Sequence, residues 1–176
     1  VMVNSNTNDS QRFDINSPLK VVDIDSSRPD RLPAYFIDGK HFDEYSIKTI
    51  NSQLIDSIHI VNNEITIKDK KYYGQVHIKM KQDYKPEFIS LTDLEAKYLK
   101  QSNNPSIFMI DNDIVKSDYN NILVDEKYIL KMEIQQIDNE KEHLNVNIIR
   151  LITKTKENIG KANEIRIRGV DTAMLK

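Results

Sequence analysis

The chain has 176 residues, 39% apolar and 30% charged, a balance that describes a folded protein with a modest core and argues against a disordered chain. Twenty-five Lys and Arg against 27 Asp and Glu leave a formal charge of −2, too weak a field for a nucleic-acid or anionic-membrane binder. Cys is absent, which excludes disulfides, thiolate metal ligands and thiol nucleophiles.

In chain order, residues 1–30 begin with a polar tether, Val1 to Gln11, and end in an extended lead segment, Leu19 to Ile24. The first patterned unit occupies residues 31–85. Pro33 precedes an apolar run that ends in a turn, Tyr35-Phe36-Ile37-Asp38-Gly39-Lys40. Ile47, Ile50 and Leu54 follow at helical spacing. Ile58-His59-Ile60 then alternates as a strand, and after an irregular link Val76-His77-Ile78-Lys79-Met80-Lys81 alternates again. Residues 86–104 connect the units, with a helix over Ser90 to Lys100 that places Leu91, Leu94 and Tyr98 on one face and pairs Ser90 with Asp93 as a cap.

Residues 105–156 repeat the pattern. Pro105 precedes Phe108-Met109-Ile110-Asp111-Asn112-Asp113, in which Asn112 replaces Gly39 and predicts the same left-handed turn. Ser117 is placed as the N-cap of a second helix carrying Tyr119, Ile122 and Leu123. Met132-Glu133-Ile134 and Ile149-Arg150-Leu151-Ile152-Thr153-Lys154 supply the two later strands, and residues 157–176 add a tail with a terminal strand, Glu164 to Gly169. The expected fold is α+β: two tandem strand-helix-strand-strand units with mixed sheets.

These segments carry a resemblance. Pro33 to Lys40, Ile55-Asp56-Ser57-Ile58, Lys68-Asp69, Tyr73-Gly74 and Val76 to Lys81 resemble the plug domain of TonB-dependent outer-membrane receptors in its abbreviated form. Pro105 to Asn112, Met132 to Ile134 and Ile149 to Lys154 resemble it a second time, and Ile165-Arg166-Ile167-Arg168-Gly169 is similar to the Arg-Gly strand that precedes the plug turn. The chain departs from the family in its short link Asn62 to Tyr73, in lacking a second Tyr-Gly pair, and in carrying neither a coupling box nor the strands of a barrel. The resemblance implies a non-catalytic docking module of a Gram-negative envelope. The address would be the periplasm or the outer-membrane surface, after removal of an upstream signal, and the partner an envelope protein or outer-membrane assembly. No cofactor, nucleic acid or membrane span is expected: the longest apolar runs fall far short of the roughly 20 residues that cross a bilayer.

Two readings from other classes compete, a structural spacer and a metal-dependent or hydrolytic enzyme. For the enzyme, His59 and His77 lie at the polar phase of strands that can be neighbours, so their imidazoles can meet as metal ligands. The second unit has Glu133 and Arg150 at those places, a pair suited to a solvated cross-strand contact. Asp111, Asp113 and Asp118 begin like a calcium loop, but Ile122 stands where the bidentate Glu belongs. Lys68, Lys70, Lys71, Tyr72, Tyr73, Lys79, Lys81, Tyr84 and Lys85 have the texture of a single-strand binder, or of a wet, Lys-guarded sheet edge. His41 is expected to be exposed after its turn, and His143 to lie in a loop.

Overall fold

The computed structural model describes residues 14–21, 31–99 and 104–164. The chain divides into residues 1–30 and residues 31–176. In the first part Asp14 to Ser17 form a turn, with Asp14 N donating to Ser17 Oγ (2.8 Å), and Leu19 to Val21 form no strand. The remainder of the expected lead strand, Val22 to Ile24, lies outside the described residues.

Residues 31–176 hold two sheets of the same design. The first begins with β1 (Ala34–Ile37) and β2 (Lys40–Phe42), joined by a turn in which both Asp38 (φ 47) and Gly39 (φ 82) are left-handed. β3 (Ile55–Val61) and β6 (Gln75–Met80) complete the order β2-β1-β6-β3, with β1 and β6 parallel and the other pairs antiparallel. The second sheet uses β8 (Ser106–Ile110), β9 (Asp113–Ile114), β11 (Ile129–Asn139) and β12 (Leu144–Thr153) in the order β11-β12-β8-β9, and its one parallel pair is again β8 with β12. The fold is α+β with mixed sheets, as the pattern predicts.

The repetition reaches single hydrogen bonds. Asp38 N donates to Ile78 O (2.9 Å) and its carboxylate accepts from Met80 N (3.0 Å); Asp111 N donates to Leu151 O (2.8 Å) and its carboxylate accepts from Thr153 N (2.9 Å). A short 3-10 turn precedes the third strand in each copy. Asn51 caps one and Asp125 the other, each accepting from the backbone N–H two residues on, and the ladder that follows slips by one residue at Ile55/Ser57 and at Ile129/Lys131. The left-handed residue common to both turns is the aspartate. Asn112 does not adopt a positive φ, which corrects the expectation drawn from its exchange with Gly39.

The helices differ from expectation. α1 spans Glu44–Ile47 and ends before Ile50 and Leu54; Asp43 caps it by accepting from Tyr45 N (3.0 Å), and the Thr49 hydroxyl closes its end by donating to Ser46 O (2.8 Å). The second copy has a single turn in place of a helix. Its cap is Asp118, which accepts from Asn120 N (3.0 Å), rather than Ser117. Leu123 and Val124 are drawn instead into β10 (Leu123–Asp125), which pairs with β7 (Phe88–Ser90) from the connector. The connecting helix, α2 (Leu91–Tyr98), is capped as expected, with Ser90 Oγ accepting from Asp93 N (3.0 Å). Where a tail was expected, α3 (Lys156–Asn163) begins behind a Thr155 cap; the predicted terminal strand beyond Glu164 lies outside the described residues. The two expected links also diverge. The first is a small hairpin of β4 (Ile65–Ile67) and β5 (Lys70–Tyr72), whereas β11 runs into β12 through one tight turn at Asn139 to His143.

The copies are interlocked. Tyr45 of α1 is buried in the second core with Leu91, Leu94, Phe108, Ile122 and Leu151, while Phe88 and Leu123 pack against the first core around Ile37, Phe42 and Ile78. Leu123 N donates to Ser46 Oγ (3.2 Å) and Asp125 N to Thr49 Oγ1 (3.1 Å), tying β10 to the α1 segment. Asp125 is fully buried; its carboxylate accepts from Glu87 N (3.1 Å), Lys127 N (3.2 Å) and the Tyr84 hydroxyl. Burial, and then that hydrogen bond, push the Tyr84 hydroxyl above its ordinary pKa. Asp125→Ala leaves three donors without their acceptor and is expected to cost about 3 kcal/mol. The loss is read from the urea midpoint, and tyrosine fluorescence and far-UV dichroism are expected to follow one coincident transition, because neither core closes without the other copy.

Candidate functional site

The outer face of the first sheet carries a row of rings, one from each strand. His41 is opposite Phe36, Phe36 opposite His77, and His77 opposite His59. The predicted meeting of His59 with His77 is therefore a true register pair. Its chemistry is that of packing: the His77 ring stacks on Phe36 at 4.7 Å and 7°, and its Nε2 is 3.2 Å from Gln75 Oε1. Among the described residues no cluster of three His, Asp or Glu side chains can hold a metal ion. At the same places the second copy has Glu133 facing Arg150, with 3.7 Å between carboxylate and guanidinium.

The acidic residues that begin like a calcium loop point to separate tasks. Asp111 latches Thr153 and also accepts from Asn158 Nδ2 of α3 (2.8 Å), Asp113 pairs with Lys48, and Asp118 caps its turn. The Lys and Tyr run is likewise divided, which corrects its reading as one wet sheet edge. Lys79 lies on β6, an inner strand; Lys81 Nζ donates to Gln53 O (2.8 Å), Lys71 pairs with Glu64 (2.7 Å), and the Tyr84 hydroxyl meets the buried Asp125. His143 ends the tight β11–β12 turn in a left-handed conformation (φ 51).

What the sheets leave open is their edges. β3 and β11 each pair on one side, and no strand covers the other side among the described residues. On β11, Met132 and Ile134 are opposite the buried Leu151 and Ile149, so they stand on the core face, yet Ile134 is 51% exposed. On β3 the corresponding Ile58 and Ile60 are 55% and 63% exposed. The core face of each sheet thus runs out to its edge uncovered. At β11 it continues into a groove of about 460 Å³ against α2, lined by Leu94, Tyr98, Glu126, Ile129, Met132 and Ile134. Glu126 accepts from Lys97 Nζ and from the Tyr98 hydroxyl, both at 2.6 Å, and those bonds hold its carboxyl below the usual range.

A second concavity, of about 400 Å³, lies at the seam between the copies. β2, the β4–β5 hairpin and the Asp118 turn of the second copy build it, and His41 lies in its wall. The expectation that His41 is exposed is corrected: its ring is packed edge-on against Phe36 (5.7 Å) and Tyr72 (5.5 Å), and its Nε2 is buried with no hydrogen-bond partner among the described residues. Local sequence gives no sign of this, because Tyr72 belongs to a hairpin well removed along the chain that is folded back over β2.

Burial lowers the His41 pKa below its ordinary 6.5; Asp43 opposes the shift, and Lys68 and Lys70 add to it. The folded state then holds this proton less tightly than the unfolded chain. Its contribution to stability is present above the unfolded value and is lost as pH falls through the lowered folded value. Urea midpoints taken from pH 7.5 down to about pH 5 are expected to fall more steeply for the native chain than for His41→Phe. In comparisons with known proteins, no family model matches this chain, and no curated protein and no solved structure matches it.

Proposed function

We propose that the chain is a non-catalytic docking module of the Gram-negative envelope that receives an extended segment of a larger protein along the free edge of β11. One observation carries the reading: an eleven-residue strand with an open edge, whose core-facing Met132 and Ile134 continue into the groove beside α2. An added strand satisfies the edge N–H and C=O groups, and its alternate side chains fill the groove. The partner's chemistry follows: apolar residues at every second position, next to Met132 and Ile134, and polar ones between them, next to Lys131 and Glu133. The envelope address is drawn from the plug-like resemblance of the sequence segments alone. An open apolar edge is an unnecessary hazard for a mere spacer, which favours the docking reading.

The test is site-specific photo-crosslinking in envelope extracts. A crosslinking residue at Gln135 is expected to capture one defined envelope protein, and one at Asn63, in the exposed loop after β3, is not. Ile134→Lys, at a half-exposed site where stability should shift by only about 0.5 kcal/mol, is expected to abolish the adduct. An adduct that survives Ile134→Lys, or that forms equally from Asn63, overturns the proposal.

A further inference from the structure

The two copies share a frame, and one of the places where they differ builds a cavity. Where the second copy joins β11 to β12 by a tight turn, the first inserts the β4–β5 hairpin, which folds over β2 and supplies Ile67, Lys68, Lys70 and Tyr72 to the seam concavity. The hairpin turn is Lys68-Asp69, with φ of 48° and 66°; a lysine in the left-handed region is an unfavourable choice where Asn or Gly would serve. That turn makes Lys68 part of the cavity lining.

Three lysines converge there: Lys40 from β2, Lys68 from the turn and Lys70 from β5. No carboxylate pairs with any of them among the described residues, although the chain has more acidic than basic residues to offer. Asp43 is the one carboxylate in the lining, and it is committed to capping α1 through Tyr45 N. Beneath the ammonium groups the walls are flat and apolar. Lys40 Nζ is 5.6 Å from the Phe42 ring and Lys70 Nζ 5.1 Å from the Tyr72 ring, with Ile67 and Leu123 completing the floor. The buried, unpartnered Nε2 of His41 belongs to the same wall. Gathering three like charges is unfavourable unless an opposite charge joins them, and the volume, about 400 Å³, matches small-ligand sites.

We infer that this seam cavity binds a small organic anion, one carboxylate or phosphate group held by Lys40, Lys68 and Lys70 and a flat apolar body set against Phe42 and Tyr72. The site shares no residue with the β11 edge and gives the module a ligand as well as a partner. Binding crosses the seam, since Asn120, Asn121 and Leu123 come from the second copy and the rest from the first. Asp118 holds Asn120 Nδ2 (3.1 Å) and Asn121 Nδ2 (2.9 Å), so that side of the wall is rigid and the lysines provide the adaptable part.

The test is calorimetry and amide NMR on the full chain with phenyl phosphate, benzoate and inorganic phosphate. Saturable binding of phenyl phosphate or benzoate, tighter than that of inorganic phosphate, is expected, and which of the two binds better assigns the anionic group. Lys68→Gln with Lys70→Gln is expected to weaken binding about tenfold or more at an unchanged melting temperature. Lys131→Gln, on β11, leaves it unchanged, as does Ile134→Lys, which separates this site from the docking edge. Bound anion is also expected to raise the His41 imidazole pKa, followed by its ring proton shifts. Absence of saturable binding up to about 10 mM, equal binding by the double variant, or a preference for inorganic phosphate over both organic anions overturns the inference.

Discussion

The carboxylates of Asp38 and Asp111 sit where a hairpin turn meets a strand that runs parallel to the hairpin's first arm. A parallel pair cannot be closed by a short turn, so β1 and β6, or β8 and β12, must be brought together by chain that travels elsewhere in between. The aspartate holds that junction at both ends of its own residue, its N–H donating to the closing strand and its carboxylate accepting two residues further on. A left-handed backbone, which aspartate tolerates better than most residues, is what aims both groups at the same strand. Strand order, the position of each edge and the direction in which the second arm leaves all follow from that junction.

Duplication of such a unit presents a burial problem. One small sheet with a four-residue helix covers little apolar surface, and neither copy closes a core from its own residues. The solution is exchange. Tyr45 crosses into the second core, Leu123 and the connector's Phe88 cross into the first, and the β7–β10 pair with the buried Asp125 knots the crossing point. Because the crossing is fixed by directional hydrogen bonds to a buried carboxyl group, the seam has one geometry, and a cavity built across it is preorganised.

Divergence between the copies then becomes informative. The outer-face row reads His41, Phe36, His77, His59 in one and Ile114, Met109, Arg150, Glu133 in the other, a ring stack against an ion pair on one frame. The first copy spends its link on a lysine-bearing hairpin over the seam; the second spends the same interval on long strands that extend an open edge beside α2. One copy thus offers a cationic cavity and the other an apolar edge, two surfaces with different complements on a single compact unit.

The repeated unit was legible in the chain alone, because strand alternation, turn residues and the Ser90/Asp93 cap are local properties that depend on neighbours a few positions away. It also allowed His59 to face His77, a register the structure has, since two alternating strands on one sheet admit few registers. It overstated α1 and the second helix: Ile50 and Leu123 have helical spacing, but burial in the first core was worth more than continuing a helix through Thr49 or Asn120-Asn121. Three outcomes came from folding alone: Tyr45 serves the second core, Tyr84 and Lys81 belong to different environments from Lys68 and Lys70, and His41 is packed between rings. Each of those outcomes depends on contacts between residues far apart in the chain, and a pattern read along one strand carries no record of which distant surface will come to cover it.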